Sequence, residues 1–187
     1  IRDPKVAEDI LERGDADLIG MGRQMIADPS WTNKVHYGKE DTIRKCISCN
    51  IGCSGHRIGL NRPIRCSVNP SVNEGEEYRS WKVKKPCNVV VIGGGTAGLE
   101  AACTAAEVGC TTFLIEKEDH LGGLSVEISK IPDKKRLRDF PDYLIHRAEK
   151  LRNLITFTST EATPSFVKML KPDFIINATG STPLLPP

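Results

Sequence analysis

Residues 88–109 read NVVVIGGGTAGLEAACTAAEVG, and this stretch decides the fold. The apolar run 88–92 predicts a buried strand, the glycines of 93–98 a turn, and the Ala-rich run 99–108 a helix. A G-x-G-x-x-G pattern between a strand and a helix is typical of a dinucleotide site. The stretch therefore predicts the start of a parallel α/β sheet that binds a dinucleotide.

Each glycine of this turn has a separate role. Gly93 permits the tight turn, Gly95 lets the backbone approach a pyrophosphate, and Gly98 lets the helix lie close to the sheet. The helix N-terminus offers N–H groups to the phosphates, and Ala97 is included there as a cofactor contact. Glu116 ends the next apolar run, 18 residues after Gly98. Its carboxylate can accept hydrogen bonds from both hydroxyls of a ribose, which disfavours a 2′-phosphate.

The remainder of the C-terminal half continues this alternation. Apolar runs predict strands at 111–116, 155–158 and 173–178, and helices at 134–152, interrupted near Pro141, and at 165–170. The resulting order βαβαβ predicts the nucleotide-binding half of a doubly wound sheet.

The motif alone leaves the dinucleotide open, because FAD and NAD use the same fingerprint. Three features favour FAD because they resemble flavoproteins with two dinucleotide domains: a glycine turn at 120–123, an Ala-Thr-Gly segment at 178–180, and Thr163. Lys117, beside Glu116, and Gly123, in the glycine turn, are added to the predicted cofactor contacts.

Seven cysteines form two groups. Their odd number, in a chain without an export signal, argues against a disulfide framework. Cys87, Cys103 and Cys110 lie in apolar surroundings, so we expect reduced thiols that fill the core. The other four follow a C-x₂-C-x₃-C-x₁₂-C spacing and are Cys46, Cys49, Cys53 and Cys66.

Four thiolates at this spacing predict a metal centre. They could hold one zinc ion or a 4Fe-4S cluster, and three ligands from one tight loop with a distant fourth favour the cluster. Residues 43–72 contain no Asp or Glu, which suits a cluster of net negative charge. The basic residues of this segment alternate with Cys and Gly rather than with aromatics, which argues against nucleic acid; they are Arg44, Lys45, Arg57, Arg62 and Arg65.

The N-terminal segment is one helix–strand–helix step. Helical patterns at 4–13 and 23–27 flank a predicted strand at 16–22, and a lone step must belong to a larger parallel assembly. Gly22 and Arg23, at the end of this strand, predict a phosphate site of the kind found in (β/α)₈ barrels, although an ordinary turn has the same pattern.

Composition limits the remaining possibilities. The chain has 187 residues, 39% of them apolar, 26 Lys and Arg, 24 Asp and Glu, and 5% aromatics, which gives no general reason to expect a nucleic-acid partner. No apolar run is long enough to span a membrane, and no signal peptide precedes the first helix, so we expect a cytoplasmic protein. The absence of an initiator Met and the ending at Pro187 indicate a segment of a longer chain.

In this order the motifs resemble the multidomain flavoproteins of the Old Yellow Enzyme superfamily, which include 2,4-dienoyl-CoA reductase, 2-enoate reductase and trimethylamine dehydrogenase. Residues 17–29 look like the last strand and FMN-phosphate turn of their barrel, 43–53 like their cluster loop, and 66–70 like its closing ligand. Lys45 stands where a Pro is more usual.

The resemblance implies a domain plan of 1–45 as the end of the FMN-binding (β/α)₈ barrel, 46–75 as the 4Fe-4S loop, 76–86 as a linker, and 87–187 as an incomplete Rossmann-like FAD domain. It implies that Gly22 and Arg23 contact the FMN phosphate and that the four clustered cysteines ligate the 4Fe-4S centre. The contacts to the ADP half of FAD would be Gly93, Gly95, Gly98, Glu116 and Gly123.

The implied activity is electron relay. NAD(P)H would reduce FAD, and electrons would pass through the cluster to FMN, which would reduce an activated C=C bond of an enoate or enoyl-CoA. The implied partners are a small-molecule substrate, the rest of the polypeptide and a second copy of the chain. No catalytic residue is assigned, so this segment alone is expected to be catalytically incomplete. Two alternatives stay open: an amine dehydrogenase with ADP in place of FAD, and a non-catalytic electron-transfer or nucleotide-binding module.

Overall fold

The structure, a computed structural model, describes residues 1–73 and 81–181. It divides the chain into two units, residues 1–79 and residues 80–187. Residues 76–80 of the predicted linker lie outside the described residues. None of the described helices is long and apolar enough to cross a membrane.

The second unit contains a parallel four-stranded sheet. Its strands are β1 (Asn88–Ile92), β2 (Thr111–Ile115), β3 (Leu154–Phe157) and β4 (Phe174–Asn177). They lie in the order β3-β2-β1-β4, and every neighbouring pair is parallel. The α/β class and the parallel sheet predicted from the sequence are therefore confirmed, with strand ends within one residue of those expected.

Helices connect these strands. They are α4 (Thr96–Val108), α5 (Leu124–Ser129), a 3₁₀ helix (Pro132–Arg138), α6 (Asp139–Glu149) and α7 (Pro164–Met169). The helix predicted at 134–152 is in fact a 3₁₀ segment followed by α6. Pro141 lies in the first turn of α6, where its missing N–H costs no helical hydrogen bond. The short helix α5 was not predicted.

The two faces of the sheet pack against different helices. Val89 and Val91 share one apolar cluster with Leu99 of α4 and Leu144 of α6. Val90, which points to the opposite face, packs with Val167 of α7. The second unit thus has helices on both faces of its sheet.

The expectation of three reduced core thiols is wrong for two of them. Cys87 and Cys110 form a disulfide, with Cα atoms 5.0 Å apart. The register of β1 and β2 pairs Asn88 with Thr111, so the residues immediately before these strands are neighbours. Cys103, by contrast, is a buried free thiol, as expected.

The first unit contains short helices: α1 (Pro4–Glu12), α2 (Arg23–Ala27), α3 (Trp31–His36), a 3₁₀ turn (Glu40–Thr42) and a π-helix (Ile51–Gly59). Asp3 caps α1 by accepting a hydrogen bond from the N–H of Lys5. Ala7, Trp31 and Ile43 form the small core of this unit.

The strand predicted at 16–22 does not form, and residues 16–22 are irregular. A parallel strand needs a hydrogen-bonded neighbour, and residues 1–73 contain no strand that could pair with it. Ile19 and Met21 still pack against the core of the unit, whereas Leu18 is 86% exposed. The prediction of a strand at 16–22 is therefore wrong, and none of these residues is buried.

Candidate functional site

Four cysteines from distant parts of the first unit line one cavity. Cys46, Cys49, Cys53 and Cys66 surround about 300 Å³ of unfilled space, part of it open to solvent. Each of the four is a free, half-buried cysteine. The structure therefore brings the predicted ligands together around one volume.

A close backbone contact closes this loop. The N–H of Arg65 donates to the carbonyl of Gly52 at 2.7 Å. A Cβ at Gly52 would lie 2.6 Å from the carbonyl oxygen of Arg65, so only glycine fits without a shift. Since Cys53 and Cys66 are the next residues along each segment, this contact places the distant fourth cysteine beside the other three.

Local donors surround the sulfur atoms. The N–H of Ser48 donates to the Sγ of Cys46 at 3.4 Å, and the Sγ of Cys49 lies 3.3 Å from the hydroxyl of Ser67. Burial raises the pKa of the Cys66 thiol, although the N–H groups of Val68 and Asn69 oppose this shift. A metal that binds Cys66 must displace this proton, so the site couples metal binding to deprotonation.

The donor set of the cavity consists of four thiols. Among the described residues, no group of three or more His, Cys, Asp or Glu side chains is close enough to hold one metal ion. A tetrahedral zinc site requires four sulfurs about 2.3 Å from a common centre, whereas a cubane distributes them over four iron corners. The four cysteine side chains have the donor chemistry that either site requires.

The predicted FMN-phosphate residues adjoin this cavity. Gly22 is the N-cap of α2 and is exposed. Arg23, the first residue of α2, lines the cysteine cavity, and its guanidinium donates to the side-chain oxygen of Asn50. Arg23 thus contacts the cysteine loop through one of the five N–H donors of its guanidinium.

Sequence reasoning missed the buried polar side chains that join α2 to the cysteine loop. Gln24 and Asp28 are 2% and 5% exposed and lie one helical turn apart. Gln24 bonds the backbone of Arg44 and Cys46, and Asp28 accepts the N–H of Arg44 at 2.9 Å. Their i, i+4 spacing was the available signal, because it places Asp28, the C-cap residue, one turn after Gln24 of the same short helix.

The glycine turn of the second unit leaves space in front of α4. Gly98 contacts the carbonyl of Gly93 so closely that a Cβ there would clash with it. A Cβ at Gly95 would meet no described atom within 4 Å. This open space at the helix N-terminus is where the backbone N–H groups of α4, including that of Ala97, can meet an anion.

The predicted glycine turn at 120–123 packs against the same motif. The N–H of Gly122 donates to the carbonyl of Gly94 at 2.8 Å. A Cβ at Gly123 would lie 3.0 Å from the Cα of Gly95. The chain therefore passes directly beside the G-x-G-x-x-G turn.

Glu116 is buried beside a larger cavity. Its two carboxylate oxygens accept the N–H groups of Gly94, at 2.6 Å, and Glu118, at 2.9 Å. A carboxylate has about four acceptor positions, so two remain for ribose hydroxyls. The cavity has about 680 Å³ of unfilled space and is lined by Ile92, Gly93, Ile115, Glu116, Lys117, Thr160, Glu161, Ala162 and Thr179.

Residues 160–162 of this lining were not predicted. Thr163, one of the features that favour FAD, follows this segment, and its hydroxyl accepts the N–H of Phe166 and caps α7. The N–H of Thr160 donates to the carbonyl of Glu116, which aligns the two segments at the carboxyl ends of β2 and β3. Ligands of open parallel sheets bind at these strand ends.

Two protein families match separate parts of the chain. Residues 1–42 match the NADH:flavin oxidoreductase / NADH oxidase family, and residues 88–161 match the FAD dependent oxidoreductase family. The chain is also 44% identical over 190 residues to the NADH oxidase of Thermoanaerobacter brockii, covering 100% of this chain and 29% of that protein. The chain belongs to the Old Yellow Enzyme-like flavoproteins.

Solved structures of related flavoproteins resemble this Old Yellow Enzyme-like chain. A complex of 2-naphthoyl-CoA reductase with 2-naphthoyl-CoA has a TM-score of 0.93 at 33% identity, covering 99% of this chain and 28% of that one. Histamine dehydrogenase from Rhizobium sp. 4-9 has a TM-score of 0.88 at 29% identity, covering 96% of this chain and 26% of that one. These relatives are oxidoreductases, and the chain spans less than a third of their length.

Proposed function

We propose that this chain belongs to an NAD(P)H-dependent flavin and iron–sulfur oxidoreductase that reduces an activated C=C bond of the enoate or enoyl-CoA type. The two family matches lie on either side of the cysteine loop in sequence, which supports two flavin sites and a metal centre. The similarity to an NADH oxidase and to a reductase of a CoA thioester supports the donor and the substrate class.

The four cysteines that line the cavity would ligate a 4Fe-4S cluster. When bound, such a cluster supplies one-electron transfer between two-electron flavin carriers. The N–H of Ser48 and the hydroxyl of Ser67 lie within hydrogen-bond distance of two of the sulfurs, so they can stabilise added negative charge. The Gly52 contact keeps the fourth ligand near the other three.

Gly22 and Arg23 would hold the phosphate of FMN. A guanidinium can bind phosphate in a bidentate manner, and the bond from Arg23 to Asn50 leaves other N–H groups for this role. Because Arg23 also lines the cysteine cavity, the same side chain would adjoin both cofactors.

The second unit would hold the ADP half of FAD. The open space at Gly95 would receive the pyrophosphate at the N-terminus of α4, and Glu116 would accept the ribose hydroxyls. Lys117 and the segment 160–162 would line the adenine side of the cavity.

The observation that carries this proposal is the single cavity lined by four cysteines, and metal analysis tests it. Protein purified without oxygen should contain about four iron and four sulfide per chain, together with FAD and FMN. Cys53→Ser should lose most of the iron, whereas Cys103→Ala, which removes a buried thiol of the other unit, should keep it. One zinc per chain, or no metal, would refute the relay.

A second candidate is an amine dehydrogenase with ADP in place of FAD. The similarity to histamine dehydrogenase favours it, and Glu116 can accept the ribose of either nucleotide. Chromatography of the nucleotide released on denaturation separates the two candidates. FAD with NADH-driven reduction of cinnamate supports the reductase, and ADP with histamine-driven reduction of a dye supports the dehydrogenase.

Assembly and location are proposed with this function. A homo-oligomer in the cytoplasm, made with the rest of the polypeptide, would act on a small molecule. Light scattering of the purified protein measures the oligomeric state, and a monomeric mass would exclude the proposed second copy.

A further inference from the structure

The side-chain amide of Gln24 contacts the cysteine loop with both of its ends. Its Nε2 donates to the carbonyl of Arg44 at 3.1 Å, and its Oε1 accepts the N–H of Cys46 at 3.0 Å. Gln24 is 2% exposed, so neither bond competes with bulk water.

These two bonds replace the partner strand that the loop lacks. In an extended segment, the carbonyl of one residue and the N–H of the second residue after it point to the same side, where a neighbouring strand would bond both. Residues 44–46 are in no strand. The side-chain amide of Gln24 forms hydrogen bonds with the carbonyl of Arg44 and the N–H of Cys46, as one residue of a neighbouring strand would. It therefore fixes the backbone at Cys46.

Independent contacts hold the same helix to the rest of the cysteine loop. Asp28, the C-cap residue of α2, accepts the N–H of Arg44. Asn69, three residues after Cys66, donates to the carbonyl of Ile26 at 2.9 Å. Helix α2 is therefore hydrogen-bonded to the segment that contains Cys46 and to the segment that contains Cys66, the first and last of the four cysteines.

We propose that Gln24 is a positioning residue for the cysteine site: by holding the N–H of Cys46, it fixes this ligand relative to the helix that carries Arg23. The inference rests on the proposed iron–sulfur function. Without Gln24, the N–H of Cys46 loses its buried acceptor, and this ligand is held less firmly. Hydrogen bonds around the ligands tune the potential of a cluster.

Gln24→Leu tests this role in the full protein purified without oxygen. Because Gln24→Leu leaves the buried N–H of Cys46 without its acceptor, iron release to a chelator should be about tenfold faster than in the unchanged protein. The midpoint potential of the cluster, followed by electron paramagnetic resonance, should shift. Met25→Leu is the matched control, because Met25 lies on the same helix and packs against the apolar core instead; it should change neither quantity.

Hydrogen exchange separates failure of this inference from failure of the proposed function. Exchange of the Cys46 amide needs no iron, and Gln24→Leu should accelerate it about tenfold, with no change in Met25→Leu. If the unchanged protein contains no iron, the proposed function is refuted, and Gln24 has no cluster to act on. Exchange of the Cys46 amide still measures its hydrogen bond to Gln24. Unaltered release, potential and exchange in Gln24→Leu would overturn the inference. Should this variant not fold, Gln24→Asn, whose shorter amide cannot reach both groups, is judged by the same three measurements.

Discussion

At the scale of single residues, Gly52 controls whether the cysteine loop can close. Gly52→Ala places a methyl group 2.6 Å from the carbonyl oxygen of Arg65, so we expect Cys53 and Cys66 to separate. The protein should lose most of its iron, as measured by metal analysis. Gly59→Ala is the matched control at the end of the same π-helix, because a Cβ there meets nothing within 4 Å. Full iron content in Gly52→Ala would contradict this account of the loop.

Glu116 carries two backbone hydrogen bonds as well as its proposed ribose contacts. Glu116→Gln offers only one acceptor oxygen, so either the N–H of Gly94 or that of Glu118 loses its partner. Since hydrogen bonds to a charged group are worth about 1.5–3 kcal/mol, we expect affinity for ADP to fall about tenfold or more. Calorimetric titration measures this, with Glu118→Gln, whose side chain is exposed, as the control. Equal affinities for both variants would exclude Glu116 from the site.

Cys103 predicts a dependence of stability on alkaline pH. Burial raises the pKa of its thiol from the usual 9.0 to about 11, so the folded state holds this proton more tightly than the unfolded state does. The stabilisation is complete below pH 9 and is lost as the pH rises towards 11. We expect the free energy of unfolding, measured with urea, to fall between pH 8 and pH 10 in the unchanged protein. In Cys103→Ala it should fall by about 1 kcal/mol less. An equal fall in the free energy of unfolding in both proteins would contradict the raised pKa of the Cys103 thiol.

At the scale of elements, one buried cation holds α4 against α6. Arg147 donates to Glu107 at 2.6 Å and to Glu100 at 2.9 Å, and its side chain is only 16% exposed. Burial opposes the charge, but these two carboxylates raise the pKa of Arg147 above its usual value. The guanidinium therefore stays charged while buried, and both acidic residues depend on it.

We expect Arg147→Met to lower the free energy of unfolding by about 3 kcal/mol, because it leaves two carboxylates half-buried and unpaired. Arg138→Met, which breaks the exposed pair with Asp142, should cost about 0.5 kcal/mol or less. Chemical denaturation of both variants gives the comparison. Similar costs would mean that the packing of α4 on α6 does not depend on the buried charges.

A helix or strand could be predicted from its own sequence where its hydrogen-bond partners were also predicted. The strands of the second unit pair with one another, so the apolar runs predicted their ends to within a residue. Residues 16–22 have an equally apolar run, but residues 1–73 offer no strand to pair with it. The π-helix at Ile51–Gly59 has no sequence period of its own, because Gly52 and its contact with Arg65 organise that segment.

The candidate site could be predicted where its chemistry requires particular residue types. Cysteines at ligand spacing and glycines at a phosphate turn are such residues; the four cysteines line one cavity, and Gly95 borders open space at the N-terminus of α4. Gln24 could not be found in this way, because its role depends on a peptide 22 residues away. Residues 160–162 were missed for the same reason: they line the nucleotide cavity through their position at a strand end, which any residue type can occupy.

At the scale of the whole molecule, the two units have separate apolar cores. The core around Trp31 lies entirely within the first unit, and the clusters around Leu99 and Val90 lie entirely within the second. The cysteine cavity is lined by the first unit alone, and the cavity at Glu116 by the second alone. Each proposed cofactor should therefore stabilise the unit that binds it.

This division predicts two unfolding transitions in calorimetry. ADP at about 100 times its dissociation constant should stabilise one transition by about 2.7 kcal/mol and leave the other in place. Removal of iron by a chelator should lower only the transition that ADP does not move, since a metal centre contributes its binding energy to the fold that holds it. Glu116→Gln, measured alongside, should reduce the response to ADP to about half without changing the response to the chelator. A single transition that ADP and the chelator both move would mean that the two units fold as one cooperative body, and the cofactor sites would then be linked through the fold itself.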